Sequence, residues 1–444
     1  MLKRKIDLFL KKWFNNNNRH PLIIRGPKLI GKTTSIMSFA KTHYENIIYI
    51  NLMDDQRYKK AFEYNNQSQV LSCLLKMNPE LKFIPNKTII IIDEIQECPN
   101  VCTSLKSFSL EKQYDIICIG VILDIHLEKI QSIPVGYKHE YIMRSLDFEE
   151  FLWANGYDEF QIDNVYSYLK QLKPLPIELY NNLLKLFKDY ITIGGMPEIV
   201  DEYIKGKSIN DLLSMHYSIY QTYKNEIKSY VEKKNVKKIE LIFDNITKEL
   251  ISNDDKFEIH DSSIRYKTYN YYECINSLKD AGVINIAYNL QSLDLPLKGN
   301  EIDNYFRIYY SDTSLLLSSI DEESKKDFII NNNFQIYNGA LFENIVAEAI
   351  TKQGYEDIFF YKNDSATIEL DFVIRVKNEI IPIEVKAKKG RAKSLRTLLD
   401  ENIVNYGIKL SNNNIGFDGK IFTIPSFLTF LLKRFFNETD YIKW

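Results

Sequence analysis

The segment LIIRGPKLIGKTT, residues 22–34, constrains the fold more than any other part of the sequence. An apolar run typical of a buried strand leads into a glycine-containing turn and then into residues that favour a helix. Four residues match the spacing G-x-x-x-x-G-K-[ST]: Gly26, Gly31, Lys32 and Thr33. Such a turn directs backbone N–H groups at phosphates, so we expect these residues and Thr34 to bind ATP. The alternative is a glycine-rich turn without a ligand.

A second apolar run, TIIIIDE, ends in Asp93 and Glu94. Beside a phosphate loop, Asp93 is expected to hold Mg²⁺ together with Thr33, and Glu94 to orient or polarise the attacking water. Without the loop, the two acids would be read as first-turn residues of a helix, where the dipole favours them. Arg144 is either a sensor of γ-phosphate charge or an ordinary surface arginine.

Strand-like and helix-like runs alternate over residues 22–119, which predicts α/β architecture with a parallel sheet. Later residues read as helices, then as two helices and a strand with the outline of a winged helix, then as an irregular stretch and a final α/β domain. We therefore expect an ATPase domain at 1–145, a helical lid at 146–230, a winged helix at 231–292, a connector at 293–334 and a C-terminal domain at 335–444.

Composition narrows the class of protein. Of 444 residues, 45% are hydrophobic and 26% charged, which is typical of soluble globular chains, and the net charge of −2 means that any basic surface is local. The five cysteines are odd in number and scattered, which indicates free thiols in a reducing compartment. No apolar run approaches the ~20 residues needed to span a bilayer. We expect a cytoplasmic protein with no membrane partner.

The segment ELDFVIRVKNEIIPIEVKA, residues 369–387, predicts two strands joined at Lys377–Asn378. With a two-residue turn, Asp371 lies opposite Glu384. Opposed carboxylates repel, and a divalent cation bound between them would turn that cost into a binding site. Lys386 follows on the same face, where it could position a water and support charge on a scissile phosphate.

Glu343 lies on an otherwise apolar stripe of the preceding predicted helix, so we expect it to be a further metal ligand. A helix acid, a strand acid and E-x-K on the next strand describe a metal-dependent nuclease core, with Mg²⁺ held by Glu343, Asp371 and Glu384. The alternative is an amphipathic hairpin with a solvated charged face.

Two further features of the sequence are compatible with DNA binding. The densest basic cluster has the electrostatic footprint of a phosphate-binding surface, although it is equally typical of a solvated face; it comprises Lys386, Lys388, Lys389, Arg391, Lys393 and Arg396. In the predicted winged helix, four residues open the second helix and could contact DNA: Lys267, Thr268, Tyr269 and Asn270. The competing interpretation is a domain used only for packing.

The ordered motifs resemble those of a large prokaryotic family, the AAA-type P-loop ATPases with a C-terminal DUF4143 domain. They are GPKLIGKTT, IIIIDEIQ, IICIG, SLDFEEFL, IGGMPEIV, YYSDTSLL, GALFENIVAEAI and ELDFVI…IIPIEVKAKKG. The resemblance implies an ASCE-type ATPase core, a winged-helix middle and an end domain similar to PD-(D/E)XK nucleases. It assigns Lys32 and Thr33 to phosphate and Mg²⁺, Asp93 and Glu94 to the second ATPase motif, and Asp371, Glu384 and Lys386, with Glu343, to the nuclease signature.

Two positions depart from that pattern. Val121 follows Gly120 where such proteins often carry a polar Ser or Thr that senses the γ-phosphate, so hydrolysis is expected to be slow or sensing to lie elsewhere. Ser314 stands where we expect glycine, which should change only a turn.

Two functions agree with these features. The first is an ATP-hydrolysing AAA-type ATPase coupled to a metal-dependent nuclease-like domain acting on DNA. The second is an ATP-controlled regulator that binds DNA or protein through a catalytically inactive nuclease-like domain. The sequence leaves the oligomeric state and the DNA preference open.

Overall fold

The computed structural model describes residues 1–121, 136–252, 257, 271–320, 325, 338–386, 392–439 and 441. The chain divides into two compact units. Unit 1 comprises Met1–Ser145 and Asn276–Gly282, and unit 2 comprises Leu146–Ile275 and Val283–Trp444.

In the described part of unit 1, five strands form one parallel sheet with the order β2-β3-β4-β1-β5. The strands are β1 (Leu22–Arg25), β2 (Asn46–Asn51), β3 (Thr88–Asp93), β4 (Asp115–Gly120) and β5 (His139–Ile142). The helices are α1 (Lys5–Phe14), α2 (Lys32–His43), α3 (Gln67–Met77) and α4 (Val101–Glu111). The predicted α/β architecture with a parallel sheet is confirmed.

The sequence of β3, TIIIID, explains its place inside the sheet, between β2 and β4. All six residues are buried, as expected for a strand covered on both faces of a parallel sheet. Ile90 and Ile92 pack in a core with side chains of α3 and α4, including Val70, Val101 and Phe108. Parallel strands end at a common edge, so the residues after β1, β3 and β4 are brought together there.

Unit 2 begins with helices. They are α5 (Phe148–Ala154), α6 (Glu159–Lys170), α7 (Ile177–Ile193), α8 (Pro197–Ile204), α9 (Ile209–Glu226) and α10 (Val236–Ser252). The helical composition predicted for 146–230 is therefore observed, whereas the action of this region as a lid stays a prediction. Another helix, α11, spans Tyr272–Asp280.

The described part of unit 2 also contains a mixed eight-stranded sheet with the order β12-β13-β11-β10-β9-β8-β6-β7. Its strands are β6 (Ile284–Leu290), β7 (Glu301–Tyr310), β8 (Ile358–Lys362), β9 (Glu369–Val376), β10 (Glu379–Lys386), β11 (Gly407–Ser411), β12 (Gly416–Phe417) and β13 (Ile421–Pro425). The accompanying helices are α12 (Thr313–Ser319), α13 (Asn338–Lys352), α14 (Lys393–Asp400) and α15 (Leu432–Glu438).

The middle of the chain differs from the sequence prediction. The stretch 293–334, which we expected to be irregular, contains β7 and α12. β7 pairs antiparallel with β6, and β6 pairs in parallel with β8, so both strands extend the C-terminal sheet. Local patterns missed this because β7 is stabilised by long-range pairing. The winged helix stays a prediction, as residues 258–270 lie outside the described residues, and so do the boundaries between the five predicted domains.

Among the helices described, none is long and apolar enough to cross a membrane.

Candidate functional site

The predicted phosphate loop lies between β1 and α2 in unit 1. Gly26 has φ 152°, and a Cβ on it would lie 2.1 Å from the carbonyl oxygen of Met143, so only glycine fits there. Gly31 precedes α2, and as a glycine it has no side chain that could cap the first turn of that helix. The N-terminus of a helix directs backbone N–H groups outward, where they can bind an anion.

Lys32 is nearly buried, with 9% of its surface exposed. Its Nζ donates to the carbonyl oxygens of Gly26 at 2.9 Å and Pro27 at 2.7 Å. The ammonium group of Lys32 therefore lies against the backbone at the start of the loop. The role of Lys32 in binding phosphate stays a prediction.

The loop is joined to the end of β3 by a short hydrogen bond. Thr33 Oγ1 donates to Asp93 Oδ2 at 2.7 Å, and Tyr49 Oη donates to the same oxygen at 2.9 Å. Burial and the charge of Asp93 raise the pKa of Tyr49 to about 12, so the phenol stays a donor. A hydroxyl and a carboxylate side by side are the oxygen ligands that Mg²⁺ prefers, and this donor set fits that ion.

Glu94 adopts a left-handed conformation, φ 58°, directly after β3. Its backbone N–H donates to Asp93 Oδ1 at 2.9 Å, and its Oε1 lies 3.9 Å from Lys28 Nζ. Gln96 Nε2 donates to Glu94 Oε2. The other end of that amide, Gln96 Oε1, accepts from the backbone N–H of Val121 at 3.2 Å.

Arg4, which the sequence analysis did not single out, supports the loop. Its guanidinium donates to the carbonyl oxygens of Ile30 at 2.9 Å and Arg144 at 2.7 Å. Arg144 is half-buried. Its role as a γ-phosphate sensor stays a prediction.

The acidic residues of unit 2 lie on β9 and β10. These strands pair antiparallel with Glu379 opposite Val376 and Ile383 opposite Phe372, which is the predicted register. The left-handed conformation at the turn falls on Lys377, φ 56°. Asp371 Oδ2 accepts from the backbone N–H of Val385 at 2.6 Å.

Asp371 and Glu343 influence each other electrostatically. Burial, followed by the charge of Glu343, raises the pKa of Asp371 to about 7. Burial also raises the pKa of Glu343, against the lowering effects of Arg307 and of Tyr309, whose hydroxyl donates to Glu343 Oε2 at 3.1 Å. The helix acid and the strand acid are therefore close enough to interact electrostatically, whereas their shared role in a site stays a prediction.

Glu384 and Glu369 are held by cations of the chain. Lys386 Nζ lies 2.8 Å from Glu384 Oε1. Arg307 on β7 donates to Glu369, packs over the ring of Phe360 and lies 3.9 Å from Glu343 Oε2.

Within the described ranges, no group of three His, Cys, Asp or Glu residues is arranged to hold a metal ion. The metal role of Glu343, Asp371 and Glu384 stays a prediction.

Several predicted DNA contacts fall outside the described residues. They are Lys267, Thr268, Tyr269 and Asn270 of the winged helix, and Lys388, Lys389 and Arg391 of the basic cluster. Of the other basic residues, Arg396 pairs with Asp418 at 3.0 Å.

Ser314 does not lie in a turn. It is buried at the start of α12, where its N–H donates to Asp312 Oδ1 at 2.9 Å.

Sequence reasoning also missed Tyr49, Gln96, Arg307 and Tyr309. The only available signal was the DEIQ context of Gln96, because the others act through residues distant in the sequence.

Comparison with known proteins adds three matches. Residues 18–152 match a family of AAA domains, AAA_14. Residues 338–427 match DUF4143 and residues 184–326 match DUF8612, both described as domains of unknown function. No curated protein matches the chain.

Solved structures give distant similarities. The Aeropyrum pernix ORC1 protein in complex with DNA is 12% identical, with a TM-score of 0.27, over 75% of this chain and 94% of that one. The S. cerevisiae Hsp104–ADP complex is 12% identical, with a TM-score of 0.27, over 80% of this chain and 43% of that one. AMPPCP-bound DnaA from Aquifex aeolicus is 12% identical, with a TM-score of 0.26, over 62% of this chain and 86% of that one. These values are too low to carry an argument about function.

The AAA match covers the parallel sheet, the predicted phosphate loop, Asp93 at the end of β3 and Glu94 directly after it. The chain therefore contains a region that matches AAA domains and a region that matches DUF4143.

Proposed function

We propose that unit 1 binds and hydrolyses ATP. The observation that supports this most directly is the contact of Thr33 with Asp93, because it joins the two predicted ATPase motifs at the edge where the parallel strands end. Lys32 binds the terminal phosphates, and its present carbonyl partners give way to phosphate oxygens. Thr33 and Asp93 would hold Mg²⁺, which neutralises phosphate charge when it is bound.

Glu94 is the residue that we assign to the attacking water. It lies directly after β3, and two side chains, Gln96 and Lys28, contact its carboxylate. A fixed carboxylate can orient a water and accept its proton as the bond to the γ-phosphate forms.

The test of this proposal compares two substitutions on the full chain. Lys32→Ala should abolish ATP binding, because the charge facing the phosphates is lost, whereas Glu94→Gln should keep binding and lose turnover by at least about a hundredfold. Binding is followed with a fluorescent ATP analogue and turnover by phosphate release. Lys41→Ala, an exposed lysine in the same helix, is the matched control. Unchanged phosphate release by both variants would refute the assignment.

We further propose that unit 2 carries a nuclease-like site that acts on DNA, with Asp371, Glu384 and Lys386 as its reactive residues and Glu343 as a fourth member. Two observations support this proposal: the register in which β9 pairs with β10, and the effect of the charge of Glu343 on the pKa of Asp371. Carboxylate oxygens suit Mg²⁺, yet each acid here already has a partner within the protein. That pairing favours a second candidate, a regulator that binds DNA or protein through this domain without cutting.

Plasmid nicking in the presence of Mg²⁺ or Mn²⁺ distinguishes the two candidates. A nuclease should nick supercoiled plasmid, and Asp371→Ala and Glu384→Ala should both abolish nicking. Asp364 is an exposed acid before β9, and the Asp364→Ala variant should nick the plasmid like the parent protein. Equal nicking by all variants would indicate contamination. Retarded but intact DNA would favour the regulator.

A further inference from the structure

One side chain joins the two strand ends of the ATPase site. Gln96 donates through Nε2 to Glu94 Oε2, after β3, and accepts through Oε1 from the Val121 N–H, after β4. The contact between Gln96 and Val121 requires space at the end of β4. A Cβ on Gly120 would lie 2.5 Å from Gln96 Oε1, so the glycine at the end of this strand makes room for the amide.

Val121 occupies the position where a polar sensor was expected. Its side chain is apolar and only 2% exposed, so it offers no hydrogen bond to a nucleotide or a water. Gln96 reaches the same strand end from the neighbouring strand, and it does so while contacting the acid that we assign to the attacking water. Both ends of its amide are satisfied, which favours one orientation of the side chain.

The hydrogen bond also restricts the orientation of the Glu94 carboxylate, because Oε2 accepts from the Gln96 amide. We assign the proton of the attacking water to the other oxygen, Oε1. A displacement of about 1 Å in such a group can cost on the order of a hundredfold in rate.

We propose that Gln96 is a positioning residue of the ATPase site, which ties Glu94 to the end of β4 and replaces the polar residue missing at position 121. The inference depends on the proposed ATPase function. It assigns to Gln96 a role in turnover and not in nucleotide affinity, since no contact links it to the phosphate loop residues Gly26, Lys32 or Thr33 among those described.

The test is Gln96→Leu in the full chain, which keeps the approximate size of the side chain and removes both hydrogen bonds. We expect kcat for phosphate release to fall about tenfold or more, and the Kd of a fluorescent ATP analogue to stay within about twofold. Gln69→Leu, at an exposed glutamine of α3, should change neither quantity. In the Glu94→Gln background, Gln96→Leu should cause no further loss, because the positioned group is already absent.

Other results would overturn the inference. If Lys32→Ala and Glu94→Gln behave as expected while Gln96→Leu turns over like the parent protein, Gln96 is not a positioning residue and the ATPase proposal stands. Equal losses in affinity and turnover would show a purely structural role. Should Gln96→Leu fail to fold, Gln96→Asn, one methylene shorter, must show the same fall in kcat. A parent protein that releases no phosphate would refute both proposals.

Discussion

His216 lies in α9 with 2% of its surface exposed, and its Nε2 is 2.7 Å from the carbonyl oxygen of Ile193. A carbonyl can only accept, so Nε2 carries the proton of the neutral ring. The buried Nδ1 has no hydrogen-bond partner among the described residues, so a second proton there would be neither solvated nor paired. Burial accordingly lowers the pKa of His216 to about 4.

This residue should make folding stability depend on pH. Between about pH 6.5 and 4 the unfolded chain binds a proton that the folded chain does not, so stability falls as the pH falls. From pH 7 to pH 5 the loss from His216 is about 2 kcal/mol. His216→Gln keeps a donor for Ile193 and should lose less stability over this range in urea unfolding. Equal losses in parent and variant would contradict the prediction, and His43→Gln is the control.

At the scale of elements, three of the motifs noted in the sequence meet in a buried charged cluster. Asp312, before α12, accepts from the N–H of Gly195 at 3.0 Å. Glu348 and Lys352 of α13 form an ion pair, and Lys352 also donates to the carbonyl oxygen of Leu146 at 2.9 Å. Burial raises the pKa of Glu348. The motifs IGGMPEIV, YYSDTSLL and GALFENIVAEAI therefore connect elements of unit 2.

Removing the cation of this cluster should be costly. Lys352→Met leaves Glu348 and Asp312 buried with their charge balance lost, so we expect a destabilisation of about 3–5 kcal/mol. The double variant Lys352→Met/Glu348→Gln should recover part of that loss, because one charge is removed with its partner. Chemical denaturation measures both, and Lys185→Met, at an exposed site on α7, is the control. A change below about 1 kcal/mol for Lys352→Met would show that the cluster is unimportant.

At the scale of the whole molecule, the sheet of unit 2 extends beyond the domain boundary that the sequence predicts. β8 pairs with β9 on one side and with β6 on the other. Asn289 of β6 accepts from the Lys362 N–H at 2.9 Å, and Arg307 of β7 contacts Glu343 and Glu369. Residues 335–444 are therefore incomplete without β6 and β7.

Two fragments test this conclusion. Residues 335–444 alone expose the backbone of β8 and leave Glu343 and Glu369 without Arg307, so this fragment should aggregate or lack cooperative unfolding. Residues 146–444 retain these partners and should unfold cooperatively with a circular dichroism spectrum that shows helix and strand. Cooperative unfolding of the short fragment would instead support the predicted domain boundary at 335.

Local sequence patterns determined much of this architecture. The alternation of runs in 22–119 specified a parallel sheet, since strand and helix periods are local properties of the chain. The spacing around Lys32 predicted the turn between β1 and α2 for the same reason. Even the β9–β10 register was predictable, because turn length fixes it.

Tertiary structure alone decided the remaining features. Long-range pairing, which has no local signature, added β6 and β7 to the C-terminal sheet and brought Arg307 to Glu343 and Glu369. The contact of Thr33 with Asp93, the bridge of Gln96 to Val121 and the ion pair of Glu348 with Lys352 depend on distances in space. Spacing along the chain specifies which residues are available, whereas packing and burial decide which of them meet and with what charge.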